Sequence, residues 1–369
     1  MKERLSNIEL LRVISMLLII LFHASHHTNF YFEYRCLNYY IIKVINHFGE
    51  LGVNLFFLIS GYFLVNKKIK LKRIILIWFE LLFYNVICLI ACVLFNINYE
   101  LNSIQNIVRF FTPFYHVFWW FASAYILIYL LTPILNMILK KTSKKRLCDY
   151  LIVMLIIYCI IPTVLGIFEN TSENFLFYNR FFWGIIMYLI GGYIRLYGLK
   201  AIDTIKKSIN ISLISFLCIL ITIYTISKHP HFFEKIGLLN PNYLWPPNTI
   251  CEFLLAIGIF GIFIKLNIKQ IKIINKLATT TLGVYLLHDH QGLLIWKNII
   301  HLEIYQYNIK MIFYLIGYSL IIMLIGSCIE LVRQSIEKHT IERLLESKTC
   351  KKLKKKLLLY KKQFIKKYI

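Results

Sequence analysis

The sequence predicts an all-α, polytopic membrane protein with about ten transmembrane helices and both termini in the cytoplasm. Its 369 residues are 59% hydrophobic and only 16% charged. A soluble chain of this length could not bury so much apolar surface, which indicates a membrane protein. The hydrophobic residues form ten stretches, each long enough to cross a bilayer as a helix. These stretches cover about residues 6–26, 47–65, 74–95, 117–138, 150–168, 180–198, 209–227, 248–266, 277–296 and 311–332.

The basic residues predict how these helices are oriented. The formal net charge of +24 could indicate a nucleic-acid partner, but the lysines and arginines stand in short runs between apolar stretches. Such runs are typical of the cytoplasmic loops of membrane proteins, so no nucleic-acid partner is expected. If the N-terminus is inside, the outer segments hold few of the 42 basic residues, namely Arg35, Lys43, Arg109, Arg180, Lys228, Lys235, Lys297 and Lys310. All the others then lie on the inner side, as do both termini.

The first apolar span carries three ionisable residues, Glu9, Arg12 and His23. In a helix, Arg12 and His23 lie on one face, roughly 16 Å apart along the axis. Glu9 is one turn before Arg12 and within reach of an ion pair. Ionisable groups inside a span usually face protein or a water-filled cavity. For Glu9 and Arg12 two interpretations stay open, a functional pair or the inner end of the helix, whereas His23 follows an apolar run and indicates function.

Further polar and aromatic residues stand near the predicted outer ends of other spans. Glu50 is at the outer end of the second span, and Arg180 stands at the start of the sixth, on the outer side. An outer arginine runs against the general charge distribution, so a carboxylate or an anionic ligand is its expected partner. Trp120 and Tyr125 open the fourth span, where aromatic residues are either interfacial anchors or a platform for a substrate.

The ninth span, TTTLGVYLLHDHQ, places Tyr285, His288, Asp289 and His290 in or just beyond an apolar helix. A His-Asp-His run can look like a metal site. Adjacent helical residues point apart, however, so only His288 or His290, with help from other helices, could be a ligand. The nine cysteines are scattered and most fall within apolar stretches. We therefore expect neither a metal site nor a disulfide framework.

These motifs, in this order, resemble the acyltransferase-3 family of integral-membrane O-acyltransferases, which modify bacterial surface sugars and related acceptors. Single motifs are weak, but their order and spacing across the spans make the resemblance specific. It extends over about residues 4–330. The matching features are Arg12 and His23 with ten residues between them, GVNLFFLISGY at 52–62, WWFASAYILIYLLTP at 119–133, NRFFWGIIMYLIGG at 179–192 and LGVYLLH at 282–288.

The resemblance implies a transmembrane acyltransferase domain at 1–333 in a bacterial plasma membrane. It gives Arg12 and His23 the place of the family's essential Arg–His pair, and Glu9 stands where many members carry an acidic residue. The remaining segment, 334–369, is a basic cytoplasmic tail. Two interpretations of this tail stay open: an amphipathic helix lying on the anionic inner leaflet, or a solvated segment.

The predicted function is transfer of an acyl group, acetyl in the first place, from acyl-CoA to a hydroxyl of a cell-surface glycan or lipid-linked glycan precursor. A histidine can act as the base or pass through an acyl-imidazole, and Arg12 can bind the phosphates of acyl-CoA or hold Glu9. The expected catalytic residues are His23, Arg12 and Glu9. The expected substrate-binding residues are Glu50, Trp120, Tyr125, Arg180, Tyr285 and His288.

The alternative is a transporter or flippase for such a glycan, with ionisable residues lining its path. A transporter often shows related halves and helices broken by Gly or Pro at matching positions. The sequence shows neither feature, which favours the transferase. The identity of the acceptor sugar and the choice between acetyl and succinyl donors lie beyond the sequence.

Overall fold

The computed structural model describes residues 5–98, 103–112, 119–165, 179–235, 244–290, 292–341 and 343. Within these ranges every regular element is helical and no strand occurs. The first eight helices are α1 (Ser6–His27), α2 (Leu37–Leu64), α3 (Leu71–Leu94), α4 (Ile104–Phe111), α5 (Trp120–Lys141), α6 (Lys144–Leu155), α7 (Ile161–Leu165) and α8 (Arg180–Tyr197). The others are α9 (Ile205–Lys228), α10 (Pro230–Lys235), α11 (Ile250–Lys265), α12 (Lys272–Leu277), α13 (Thr281–His288), α14 (Ile295–Asn298) and α15 (Met311–His339).

Seven segments among the described residues are long and apolar enough to cross a membrane. They are α1, α2, α3, α5, α9, α15 and the segment Lys144–Leu165, in which a π-helical turn (Ile156–Ile160) joins α6 to α7. Each of the ten predicted spans overlaps a helix. In two of these spans the helix is short: α11 has 16 residues and α13 has 8. The chain is therefore an all-helical multi-pass membrane protein, while the count of ten spans and the orientation stay predictions.

The ninth predicted span, 277–296, is not one continuous helix. Helix α13 ends at His288, and Leu294 has a left-handed backbone conformation (φ 43°) before α14 begins. The polar residues and the glycine that follow Leu287 in LLHDHQG favour this early end, because they hydrogen-bond locally instead of continuing the helix.

The second span begins earlier than predicted. Helix α2 starts at Leu37, ten residues before the predicted boundary, and the buried Asn38 of its first turn is held by another segment. The Asn38 amide donates to the carbonyl oxygens of Gln306 and Asn308 (2.8 and 2.9 Å). A hydropathy pattern does not show such hydrogen-bond partners, so it underestimates the length of the helix.

Close packing of α1, α2 and α8 forms the centre of the core. Helix α2 packs extensively against both of the others, and α1 also contacts α11, α13 and α15. A Cβ at Gly61 of α2 would lie 1.9 Å from the carbonyl oxygen of Tyr188, and one at Gly191 of α8 would lie 2.2 Å from that of Leu58. Only glycine permits this backbone approach between helices. The packing holds the last turns of α1 against α2 and α13.

Candidate active site

His23 lies in the last two turns of α1, buried against the end of α13. Its Nδ1 atom is 2.9 Å from Nε2 of His288, although the two residues are 265 positions apart in sequence. The other ring nitrogen of His288, Nδ1, is 2.7 Å from the carbonyl oxygen of Val284 one turn earlier. Both side chains are almost fully inaccessible to solvent. The structure thus joins the predicted catalytic histidine to a residue that the sequence marked only as substrate-binding.

This chain of contacts determines which nitrogen of His23 is available for chemistry. A carbonyl oxygen only accepts, so His288 Nδ1 carries the proton and donates it to Val284. With both rings neutral, His288 Nε2 then accepts and His23 Nδ1 donates. The lone pair of His23 is consequently on Nε2. Histidine 288 therefore holds the His23 ring in one tautomer and one orientation.

Asp289 and His27 complete a group that we call the histidine cluster, defined as His23, His27, His288 and Asp289. The carboxylate oxygen Oδ1 of Asp289 is 3.6 Å from Nε2 of His23 and 3.5 Å from Nε2 of His27. The sequence argument that neighbouring residues point apart is wrong here, because it assumes a continuous helix. Since α13 ends at His288, the chain turns and both His288 and Asp289 face His23.

His290, the third residue of the run, belongs to a different environment. Its ring lies edge-on to Trp119 with centroids 5.3 Å apart, and its Nε2 is 3.3 Å from the side-chain oxygen of Asn85. Its Nδ1 accepts from the backbone of Gly292 and Leu293. These contacts stabilise the turn after α13, and His290 also interacts electrostatically with the neighbouring Asp289 of the histidine cluster.

Arg180 has the carboxylate partner that the sequence led us to expect. Its Nη2 lies 4.0 Å from Oε1 of Glu50, and its guanidinium stacks 4.4 Å above the Trp120 ring. The arginine side chain is 44% exposed, whereas that of Glu50 is 7% exposed. Among the described residues, the second oxygen of Glu50 has no hydrogen-bond partner. A buried acceptor of this kind is suited to a hydroxyl or amide donor.

Arg180 connects this pair to the histidine cluster. It lies close enough to His26 and Tyr285 to interact electrostatically with both. Trp245 packs against Phe22 and His26 with ring centroids 5.9 and 6.0 Å away. We call the surface formed by Glu50, Trp120, Arg180, Trp245 and His26 the polar aromatic wall. The wall lies beside the last turns of α1, where His23 is.

Tyr285 and Tyr125, both expected to bind substrate, are placed differently. Tyr285 is buried beside His288, with ring centroids 6.1 Å apart, and edge-on to Phe121. It therefore forms part of the lining of the histidine cluster. The hydroxyl of Tyr125 instead accepts a 2.5 Å hydrogen bond from Arg73, and its ring stacks on Tyr129. The hydrogen bond to Arg73 joins Tyr125 to α3 rather than to the polar aromatic wall.

Arg12 and Glu9 form the ion pair that their spacing allows, with 2.8 Å between Nη1 and Oε2. The Arg12 guanidinium also lies 5.9 Å from the Phe63 ring centroid on α2. This pair occupies the opposite end of α1 from His23. The three expected catalytic residues therefore mark two locations, an Arg12–Glu9 pair at one end and the histidine cluster at the other.

Three features of the site were missed by sequence reasoning. Asp289 and His27 had no assigned role, although the i,i+4 spacing of His23 and His27 in HASHH is a signal that they share a helix face. A buried pair also joins His47 of α2 to Glu252 of α11, with 2.6 Å between Nδ1 and Oε1. Both residues stand in predicted spans, where ionisable groups are costly, and this could have identified them.

No curated protein and no solved structure matches the chain. A family model described as an acyltransferase domain matches residues 5–330, nearly the whole chain. The matched range contains α1, α13 and all four members of the histidine cluster. The chain therefore belongs to the acyltransferase-3 family of membrane acyltransferases.

Proposed function

We propose that this protein is an O-acyltransferase that moves an acyl group, acetyl in the first place, from acyl-CoA to a hydroxyl of a cell-surface glycan or a lipid-linked glycan precursor. The observation that carries the proposal is the contact between His23 Nδ1 and His288 Nε2 (2.9 Å). It leaves the lone pair of His23 on Nε2, where an acceptor hydroxyl can be deprotonated. A transporter needs no such oriented base.

In the direct reaction, the proton of the acceptor hydroxyl passes to His23 Nε2 while the hydroxyl oxygen attacks the thioester carbonyl. The carbon–sulfur bond then breaks, and coenzyme A leaves as a thiolate that takes the proton from His23. The imidazolium that forms between these steps faces Asp289 Oδ1 at 3.6 Å, which stabilises its charge. The same lone pair could instead attack the thioester and form an acyl-imidazole, and Nε2 is the nitrogen acylated in that route.

The acceptor is proposed to bind along the polar aromatic wall. Trp120 and Trp245 offer flat apolar faces, and the unpaired oxygen of Glu50 offers a buried acceptor for a sugar hydroxyl. Arg180 is partly exposed and can donate to a hydroxyl, a carboxylate or a phosphate. Arg180 Nη2 and Glu50 Oε1 are 4.0 Å apart, which is too long for a hydrogen bond. An acceptor that binds between these two side chains therefore breaks no direct hydrogen bond between them.

The donor is proposed to approach from the Arg12 end of α1. Eleven helical residues separate Arg12 from His23, which corresponds to roughly 16 Å along the axis. If Arg12 binds the phosphates of acyl-CoA, the pantetheine arm must extend along α1 for the thioester to reach His23. The basic runs between the spans support a cytoplasmic location for Arg12. Membership of the acyltransferase-3 family supports a bacterial plasma-membrane location for the protein.

Labelled acetyl-CoA supplied to the purified protein with candidate glycans tests this function. We expect labelled glycan from the wild-type protein and none from His23→Ala. Alkaline hydroxylamine treatment should release the label, because it cleaves an ester of the acceptor hydroxyl. Glycan movement across vesicle membranes without any acetylation would instead establish the transporter.

A further inference from the structure

Three atoms of the histidine cluster converge as the ligands of a metal ion do. Asp289 Oδ1 is 3.6 Å from His23 Nε2 and 3.5 Å from His27 Nε2, and all three atoms lie within 4.8 Å of one another. Ligands at the usual Zn–N and Zn–O distances and tetrahedral angles are ~3.3 Å apart. Two of the three separations are therefore close to those of an occupied zinc site. A small rotation of the partly exposed His27 ring would adjust the third.

The hydrogen bonding inside the cluster demands a positive species at this point. The lone pair of His23 Nε2 faces a carboxylate oxygen, and two electron-rich atoms repel each other unless a cation lies between them. A neutral His27 can donate its own Nε2 proton to Asp289, whereas the contact of Asp289 with His23 Nε2 needs an added proton or a metal ion. A dication satisfies both contacts at once, because all three atoms can bind it together.

The surroundings of His23 also match those of a metal-binding histidine. Such residues commonly donate the ring N–H that does not face the metal to a second group, which fixes the tautomer and orients the ring. His23 Nδ1 has this partner in His288, which is itself held by Val284. His27 is 34% exposed, whereas His23 and Asp289 are 11% and 13% exposed. An ion can therefore reach the buried ligands from the His27 side.

We propose that His23, His27 and Asp289 bind one divalent transition-metal ion, Zn²⁺ in the first place, with a fourth position open to water or another ligand. Two imidazoles and one carboxylate are ligands that zinc accepts in proteins. The sequence pointed away from a metal because it considered His288 and His290 as the ligands. In the structure His288 accepts the hydrogen bond that orients the proposed ligand His23, and His290 belongs to the turn after α13.

Metal binding at this site does not depend on the proposed transferase activity. If both proposals hold, the metal occupies the lone pair that the transfer uses as its base. Zinc and base catalysis would then exclude each other, and Zn²⁺ would inhibit transfer. A failure to bind zinc would leave the transferase proposal intact, and inactivity towards glycans would leave the binding result intact.

The test uses the purified full chain in detergent, freed of metal with a chelator and titrated with Co²⁺ and then Zn²⁺. We expect one Co²⁺ per chain with the visible absorption of a tetrahedral site, displaced by one Zn²⁺. His27→Ala and Asp289→Asn should each weaken Zn²⁺ binding at least about a hundredfold, because removal of a ligand costs more than removal of an outer-shell partner. His27 is partly exposed at the end of α1, so its replacement should leave the fold intact even if Asp289→Asn does not.

His231→Ala is the matched control. His231 and Glu234 form an exposed i,i+3 pair, 3.7 Å apart, that could capture a metal ion adventitiously. Retained affinity in His231→Ala, with loss in His27→Ala, supports the proposed site. Absence of zinc binding by the wild-type chain, or binding that His27→Ala and Asp289→Asn leave unchanged, overturns it.

Discussion

Two buried polar groups contact opposite ends of α13, and they differ in how completely their atoms are paired. At the start of the helix, a Cβ at Gly283 would lie 2.3 Å from the Tyr84 hydroxyl and 2.4 Å from a carboxylate oxygen of Glu330. These residues belong to what we call the arginine cluster, Glu80, Tyr84, Glu330, Arg333 and Glu337. At the other end, His288 belongs to the histidine cluster.

The arginine cluster is saturated with partners. Arg333 binds Glu330 through two hydrogen bonds of 2.8 Å, also pairs with Glu337, and lies 3.6 Å from Glu80. The oxygens of Glu330 accept further hydrogen bonds from Tyr84 and Gln334. In the histidine cluster, by contrast, the lone pair of His23 faces a carboxylate. Burial of a charged group therefore does not by itself indicate a reactive site. A buried group whose donor or acceptor atom lacks a hydrogen-bond partner does indicate one.

Replacing His23 should have the largest effect on activity and little effect on folding. His23→Ala or His23→Gln should lower the transfer rate about 10²- to 10⁴-fold, since a positioned general base typically contributes that much. Radiolabel transfer measures the rate, and membrane yield with gel filtration in detergent measures integrity. A variant with near-native transfer would remove His23 from the mechanism.

Replacing Arg333 should have the opposite profile. Arg333→Ala leaves the buried carboxylates of Glu80 and Glu330 and the partly buried one of Glu337 without their cation, and should destabilise the protein by about 3–5 kcal/mol. Thermal unfolding in detergent should report the loss even where no substrate is present. An Arg333→Ala protein that is as stable as wild type but inactive would assign a catalytic role to the arginine cluster and reverse the comparison.

His288→Ala should reduce transfer without a large loss of stability. It removes the hydrogen bond that orients His23, and loss of a hydrogen bond to a group that becomes charged costs about 1.5–3 kcal/mol, or ten- to a hundredfold in rate. The effect should fall on kcat rather than on KM for the acceptor, because His288 acts through His23. An effect confined to KM would return His288 to the substrate-binding role.

Gly283→Ala tests whether the arginine cluster fixes the position of α13. The added methyl group would meet Tyr84 and Glu330 and should cost about 1–3 kcal/mol of stability. Gly317→Ala in α15 is the matched control, since no heavy atom lies within 4 Å of its added Cβ, and it should be neutral or slightly stabilising. Equal unfolding temperatures for the two variants would contradict the close packing at Gly283.

The structural features that depend on local periodicity could be predicted from the sequence alone. Hydropathy located α1 to within a residue, because a mainly apolar stretch of about twenty residues is stable only in a membrane or a protein core. Helical spacing put Glu9 beside Arg12 and placed His23 on the same face at the far end of the helix. The charge pattern predicted a carboxylate or an anionic ligand as the partner of Arg180, and the structure identifies that partner as Glu50.

Which side chains distant in sequence come into contact is known only from the tertiary structure. The approach of His288 and Asp289 to His23 depends on where α13 ends, and that end is set by local hydrogen bonds that override hydropathy. The His47–Glu252 pair and the arginine cluster likewise join helices far apart in sequence. Periodicity gives the face of a helix but not the neighbour against which that face packs. The partner of each buried polar atom is therefore fixed by helix packing, which the sequence does not display residue by residue.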